Sequence, residues 1–384
     1  MGQLVLRNVS VNYGSVRALQ NVNLTVNDGD FLVVFGPSGA GKTTMLNVVA
    51  GVKRPQAGQV LINGQDVTTW EPWQRDVAMV FENYALYPHK TVFDNIASPL
   101  IRRGMGGGTI RDKVRETAAM LGIDHLLDRS PGQISNGQKQ RVAIGRAIVR
   151  DSQVLLMDES LAHLDAKLRN EMRTEFIAMK RQIKRTVVYV THDYREAMAL
   201  ADHLVVLRNG IIEQEGQPVR VYSTPASVGV AQLFGSPPRS LVTADIEALG
   251  EDGVAVIHVR PWNLKFKAWL GPRENNEEQI VVAIPSASVT LAGNGSSRAN
   301  SARFRAPVSL VEQQGSYAIV TVGDSHAEFQ FRCQPDVADG LVLGRDIELV
   351  LDLGQVLFYD GLGQLLVGHP KQVGSTRWEG ATVQ

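Results

Sequence analysis

The chain has one cysteine in 384 residues, Cys333. A single thiol excludes a disulfide framework and fits a reducing compartment. Its expected role is that of a small buried apolar side chain. Neither charge is in surplus, with 39 Lys and Arg against 39 Asp and Glu. A balanced chain has no global field to attract nucleic acid. No apolar run reaches the roughly 20 residues that span a bilayer, and no signal-type segment precedes LVLRNVSVNYG. The expectation is a cytoplasmic protein that leaves any membrane path to partner chains. Core-forming residues are plentiful: 44% are hydrophobic, ample for two or three domains.

Gly36–Thr44 reads GPSGAGKTT and follows the apolar run Phe31–Phe35. Gly36, Gly41, Lys42 and Thr43 satisfy the pattern G-x-x-x-x-G-K-[ST]. The small residues between them, Pro37, Ser38, Gly39 and Ala40, let successive backbone N–H groups turn inward around a phosphate chain. A helix continuing through Thr44, Met45 and Leu46 adds its N-terminal partial charge. Lys42 would reach the β- and γ-phosphates, and Thr43 would give its hydroxyl to Mg²⁺. Further on, Val154–Glu159 reads VLLMDE, a buried-strand pattern ending in two acids. Asp158 is placed to hold the Mg²⁺ shell beside the P-loop. Glu159, one residue on, points the other way and is placed to take a proton from an attacking water.

Between these segments lies ISNGQKQR, 134–141. Ser135 and Gly137 at a helix start offer a hydroxyl and bare N–H groups to an anion. In this order the motifs resemble those of the ATPase subunits of ABC transporters. The family signature L-S-G-G-Q corresponds to I-S-N-G-Q here, with Ser135, Gly137 and Gln138 in place and Asn136 standing for a glycine. Tyr13, in VNYGSVRAL, falls where an aromatic stacks on adenine. FENYALYPHKTV, 81–92, resembles the Q-loop region, with Glu82 at the position of the family's Gln. SLAHLDAKLR, 160–169, resembles the D-loop, with Asp165 as its acid and Ser160 replacing a proline. YVTHDYREAMALAD, 189–202, carries the switch histidine, His192. NYALYPH and LDAKLR are similar to the maltose and glycerol-phosphate importer ATPases, although importers of polyamines, iron and sulfate share the layout.

The resemblance implies an α/β P-loop ATPase domain over residues 1–235, with a helical signature arm at about 92–150. An all-β, OB-like barrel domain over 236–384 follows. It implies an ATP site of Tyr13, Gly36, Pro37, Ser38, Gly39, Ala40, Gly41, Lys42, Thr43, Thr44, Glu82 and Asp158. Thr43, Glu82 and Asp158 serve as Mg²⁺ ligands, and Glu159 and His192 as catalytic residues. Two such domains close head to tail, so that Ser135, Asn136, Gly137 and Gln138 cap the partner's ATP. The implied partners are a second ATPase subunit, integral membrane permease subunits seated near Glu82–His89, and an extracytoplasmic solute-binding protein acting through the permease. The chain would then sit peripherally on the inner face of the cell membrane and serve uptake of a carbohydrate or polyol. Two departures bear on rate. An ionised Glu82 can ligate Mg²⁺ but cannot donate a hydrogen bond. Asn136 adds a side chain where backbone approach is close. Either would fit a weakened site paired with a non-identical ATPase.

A non-transport ABC ATPase acting on ribosomes or DNA would carry a second cassette or a long coiled-coil insertion, and neither is present in the sequence. A P-loop kinase would lack the signature and the D-loop. Past GSPPRS, 235–240, which reads as a linker, the runs VAVIHV, QIVVAI, YAIVTV, EFQFRC and DIELVL alternate between turn residues, as in a small barrel. HVRPWNL and LFYDGLGQLL resemble barrel segments appended to sugar-importer ATPases. Arg260-Pro261 comes early, so the first strands are expected to be short or rearranged. GNGSSRANSAR, 293–303, reads as a flexible insertion. An oligonucleotide-binding barrel would call for a basic run or paired aromatics on one strand. Neither is found, and a dimerising or regulatory platform is expected.

Overall fold

The computed structural model describes residues 2–158, 173–174, 176–178, 180, 185–271, 278–293, 300–324 and 327–367. They divide into two compact units, meeting in the chain at Val219 and Arg220. Glu159 and Asp165 lie outside the described residues.

The first unit holds two sheets. Strands β1 (Leu4–Tyr13) and β2 (Val16–Val26) alternate buried and exposed residues, as expected of half-buried strands. With β4 (Ala57–Ile62) and β5 (Gln65–Asp66) they form an antiparallel sheet in the order β2-β1-β4-β5. Strand β3 (Phe31–Phe35) begins the second sheet and is buried at every residue. Its companions are β6 (Val77–Val80), β7 (Val154–Asp158), β8 (Thr186–Thr191), β9 (His203–Arg208) and β10 (Ile211–Gly216), in the order β10-β9-β3-β8-β7-β6. All pairs are parallel except the edge pair β9–β10. Continuous apolar strands such as FLVVF and VLLM belong to sheets covered on both faces.

Helix α1 (Lys42–Ala50) leaves β3 and buries Met45, Leu46, Val48 and Val49 in the core shared by both sheets. Between β6 and β7 run α2 (Val92–Arg102), α3 (Gly107–Met120) and α4 (Asn136–Ile148), the expected helical arm. The chain between α2 and α3 is rich in glycine, and Gly107 and Gly108 already belong to α3. Helix α5 (Tyr194–Leu200) follows β8.

Helix α6 (Pro218–Ser223) spans the point where the units meet, and α7 (Val228–Ala231) follows it in the second. One antiparallel sheet comprises β11 (Ser240–Leu249), β12 (Val254–Val259), β13 (Leu264–Trp269), β14 (Gln279–Ile284), β20 (Leu357–Tyr359) and β21 (Leu365–Val367), ordered β13-β12-β11-β14-β20-β21. The other comprises β15 (Val289–Leu291), β16 (Ser301–Gln313), β17 (Ala318–Asp324), β18 (Ala327–Cys333) and β19 (Asp346–Asp352), ordered β15-β19-β16-β17-β18. Short helix α8 (Pro335–Asp339) follows β18. The two sheets curl around one apolar core, in which Trp262 stacks on Phe304 at 5.1 Å between ring centroids.

Two local expectations change here. The first strands are not shortened: β11 spans 10 residues. The tight turn at Gly250–Gly253, held by Gly253 N–H to the Gly250 carbonyl, makes room for both β11 and β12 before Arg260. Nor is 235–240 a loose linker, because Gly235 bridges Pro238 and the Arg239 side chain is buried, donating to the Tyr222 carbonyl. Of the segment read as an insertion, 294–299 lies outside the described residues, while Ser301–Arg303 open β16. Among the described residues no helix is long and apolar enough to cross a membrane.

Candidate functional site

The strand register collects the candidate residues at one edge of the parallel sheet. Phe35 pairs with Thr191, Asp158 with Val190, and Val80 with Met157. The loop Gly36–Gly41, the segment carrying Glu82, the carboxylate of Asp158 and His192 therefore all leave the carboxyl ends of adjacent strands. Open α/β sheets bind their ligands at that edge.

The Gly-rich loop is held to shape by its surroundings. A Cβ at Gly36 would collide with the Leu207 carbonyl of β9. Gly41 caps α1 at φ 105°, a left-handed conformation that glycine adopts without cost. The loop closes on itself through Ala40 N–H to the Pro37 carbonyl, and Gly210 N–H donates to Ala40. Lys42 is buried, and its ammonium donates to the carbonyls of Gly36 and Pro37, both at 3.0 Å. Thr43 donates its hydroxyl to Asp158 Oδ1 at 3.3 Å. A hydroxyl and a buried carboxylate converging on one point are hard oxygen donors of the kind Mg²⁺ takes. The residues expected at the nucleotide's phosphate end are thus brought together. Tyr13 is the last residue of β1. Its ring is half exposed, with Lys53 Nζ 4.6 Å from its centroid.

Ser135 and Gln138 are engaged with each other. Ser135 is the N-cap of α4 and accepts from Gln138 N–H at 3.3 Å, while Gln138 Oε1 accepts from Ser135 N–H at 2.9 Å. This reciprocal box satisfies two helix-end donors and leaves the Ser135 hydroxyl proton to serve an anion at the helix N-terminus. Gly137 is buried, whereas the Asn136 side chain is exposed and lies 3.5 Å from Lys139 Nζ.

Several contributors escaped the motif reading. Asn95 of α2 is fully buried and ties down 87–91: it accepts from Tyr87 N–H and donates to the carbonyls of Tyr87, Lys90 and Thr91. Arg146 of α4 donates to the carbonyls of Ala85 and Tyr84, at 2.7 and 2.8 Å. Burial holds its pKa below the usual arginine value. Glu196 of α5 is buried and accepts from Tyr189 Oη and Thr191 Oγ1, each at 2.7 Å, while Thr191 Oγ1 also accepts from Asp193 N–H. These bonds brace the turn that presents His192, an exposed residue. The only hint in the sequence is charge or amide at a helix position that packing would bury.

Comparison with known proteins agrees with this geometry. The profile of the family described as ABC transporter matches residues 19–162. The sn-glycerol-3-phosphate import ATP-binding protein UgpC of Rhodopseudomonas palustris (strain BisA53) is 48% identical over 270 residues, 69% of this chain and 75% of that protein. The sulfoquinovosyl glycerol transport ATP-binding protein SmoE of Agrobacterium fabrum is 49% identical over 306 residues, 74% of this chain and 84% of its own. Among solved structures, the dimeric post-hydrolysis state of the ATP-binding cassette MJ0796, bound to ADP and Pi, aligns with a TM-score of 0.50 at 30% identity. That alignment covers 56% of this chain and 98% of the cassette. With its P-loop, signature helix and strand order in place, this chain belongs to the ATP-binding proteins of the ABC transporter family.

Proposed function

We propose that this chain is the ATP-hydrolysing subunit of a membrane importer for a small polyhydroxylated solute, of the polyol phosphate or glycosyl glycerol class. One observation carries the reading. Lys42, Thr43 and Asp158 converge on a single Gly-rich cradle, in a chain that is similar over 69% and 74% of its length to two importer ATPases.

The cradle's N–H groups and Lys42 bind the phosphate chain, and Tyr13 offers a ring face to adenine. Thr43 and Asp158 would hold Mg²⁺, with Glu82 as a further carboxylate two residues past the end of β6. When bound, that ion offsets charge on the β- and γ-phosphates. Glu159 accepts a proton from the attacking water, and His192 contacts the γ-phosphate. Ser135–Gln138 present the α4 N-terminus to the ATP of a second subunit, and Asp165 belongs to the D-loop of the same interface. Neither half-site is complete alone, so closure of the pair and ATP binding are linked. The surface at 82–89 seats a helix of each permease subunit, which conveys closure to the membrane path and to the external binding protein. Residues beyond 235 form the regulatory or dimerising platform.

The test is reconstitution with the permease in vesicles. Uptake and hydrolysis are expected together, both abolished by Lys42→Ala. Glu159→Gln is expected to keep ATP binding while hydrolysis falls at least about a hundredfold, roughly 2.7 kcal/mol of barrier. Hydrolysis stimulated by ribosomes or DNA instead of permease vesicles would overturn the reading.

A further inference from the structure

The segment after β6 contains two consecutive non-glycine residues in the left-handed region, Tyr84 at φ 60° and Ala85 at φ 45°. Such residues are uncommon and cost of order 1–2 kcal/mol each, so they persist only where surroundings hold them. Tyr84 N–H to the Phe81 carbonyl and Ala85 N–H to the Asn83 carbonyl fold the turn, and one side chain grips the turn's own carbonyls. The guanidinium of Arg146 donates Nη1 to the Ala85 carbonyl at 2.7 Å and Nη2 to the Tyr84 carbonyl at 2.8 Å. It also lies 5.6 Å from the centroid of the Tyr87 ring. Successive carbonyls point alike in a helical turn of either hand and alternate in an extended chain. The rigid fork of an arginine can span both only while the turn stays helical and does not open to an extended chain.

The two ends of this contact belong to different functional parts. Tyr84 and Ala85 follow Glu82 by two and three residues, whereas Arg146 lies on α4, the helix capped by Ser135. Asn95 pins the later part of the same loop to α2, whereas Arg146 ties the turn at 84–85 to α4.

We infer that Arg146 is a positioning residue that locks the Tyr84–Ala85 turn to the signature helix, so that Glu82 at one ATP and Ser135 at the partner's ATP move as one body. This rests on the head-to-tail reading above. Arg146 acts through the placement of Glu82 and couples the two half-sites energetically.

The test uses the full-length chain with its permease, comparing Arg146→Lys, Ala85→Gly and their combination. Lys keeps a charge and one donor at a time but loses the fork. ATP binding under Mg²⁺-free conditions and the thermal unfolding profile are expected to stay near the parent's. Hydrolysis of the Lys variant should fall about tenfold, with its Hill coefficient for ATP dropping towards one. Glycine adopts the left-handed turn unaided, so Ala85→Gly should restore at least about a third of the lost rate in the Lys background. An unchanged Hill coefficient in Arg146→Lys, or no recovery in the double variant, would overturn the inference. Ser135→Arg separates the two levels. If it abolishes cooperative hydrolysis while Arg146→Lys is harmless, only the role of Arg146 falls. If Ser135→Arg leaves cooperativity untouched, the head-to-tail reading falls, and the inference with it.

Discussion

Arg75 illustrates how one side chain can organise the base of the nucleotide helix. It is 2% exposed. Its guanidinium donates to the carbonyls of Val48 and Val49, at 2.7 and 3.1 Å, and to those of Trp70 and Thr68. A helix leaves its last carbonyls without intrahelical partners. At the end of α1, Arg75 serves two of them, Lys53 N–H serves Asn47, and Gly51 N–H adds a second bond to Val48. Burial pushes the guanidinium pKa down from its usual value, yet an arginine stays charged in proteins. Arg75→Met would strand several buried carbonyls at once. It should lower stability by about 3 kcal/mol, seen as an earlier thermal transition of the first unit, with the second unit's transition unmoved. A shift below about 0.5 kcal/mol would show that water takes over those carbonyls.

At the scale of elements, the start of α4 decides what Asn136 does. It occupies the first helical position, its side chain is exposed, and Ser135 and Gln138 complete the cap without it. Asn136→Gly should therefore cost the helix at most about 1 kcal/mol and leave hydrolysis within about twofold of the parent. A large gain in turnover would instead show that Asn136 obstructs the partner's ATP. The elements themselves were legible in the sequence where patterns are local. Unbroken apolar runs marked β3 and β7, alternation marked β1 and β2, and the P-loop spacing located the turn between β3 and α1. What was not legible depends on contacts distant in the chain. An arginine such as Arg75 or Arg146 reads as a surface charge until backbone carbonyls from another element surround it. GSPPRS reads as a linker from composition alone. Its burial depends on Tyr222, whose carbonyl takes the Arg239 bond and whose ring lies 5.0 Å from the guanidinium carbon.

For the whole molecule, the question is where the two units separate. The motif reading puts the boundary after residue 235, at the last segment that resembles the cassette, whereas compactness puts it at Val219 and Arg220. The intervening stretch carries Val221, Val230, Ala231 and Phe234, each buried. Phe234 packs edge-on against Tyr222 at 5.6 Å, and Ala231 shares a small core with Ala283, Leu357 and Tyr359 of the β-rich unit. Tyr359 also donates to the Pro225 carbonyl at 3.1 Å, and its phenol is pushed far above the usual tyrosine range by burial. A chain ending at residue 235 would expose these apolar groups without their partners, at about 1.5–3 kcal/mol for each large side chain. A chain ending at residue 219 removes them. We expect both truncations to bind ATP, because every nucleotide motif precedes residue 219. The shorter one should be the more soluble and monodisperse, with the higher first thermal transition. Light scattering and calorimetry on the two truncated proteins would decide it. If the chain ending at 235 were the better behaved, residues 220–235 would be contributing to the stability of the ATPase unit, and the boundary would lie after them.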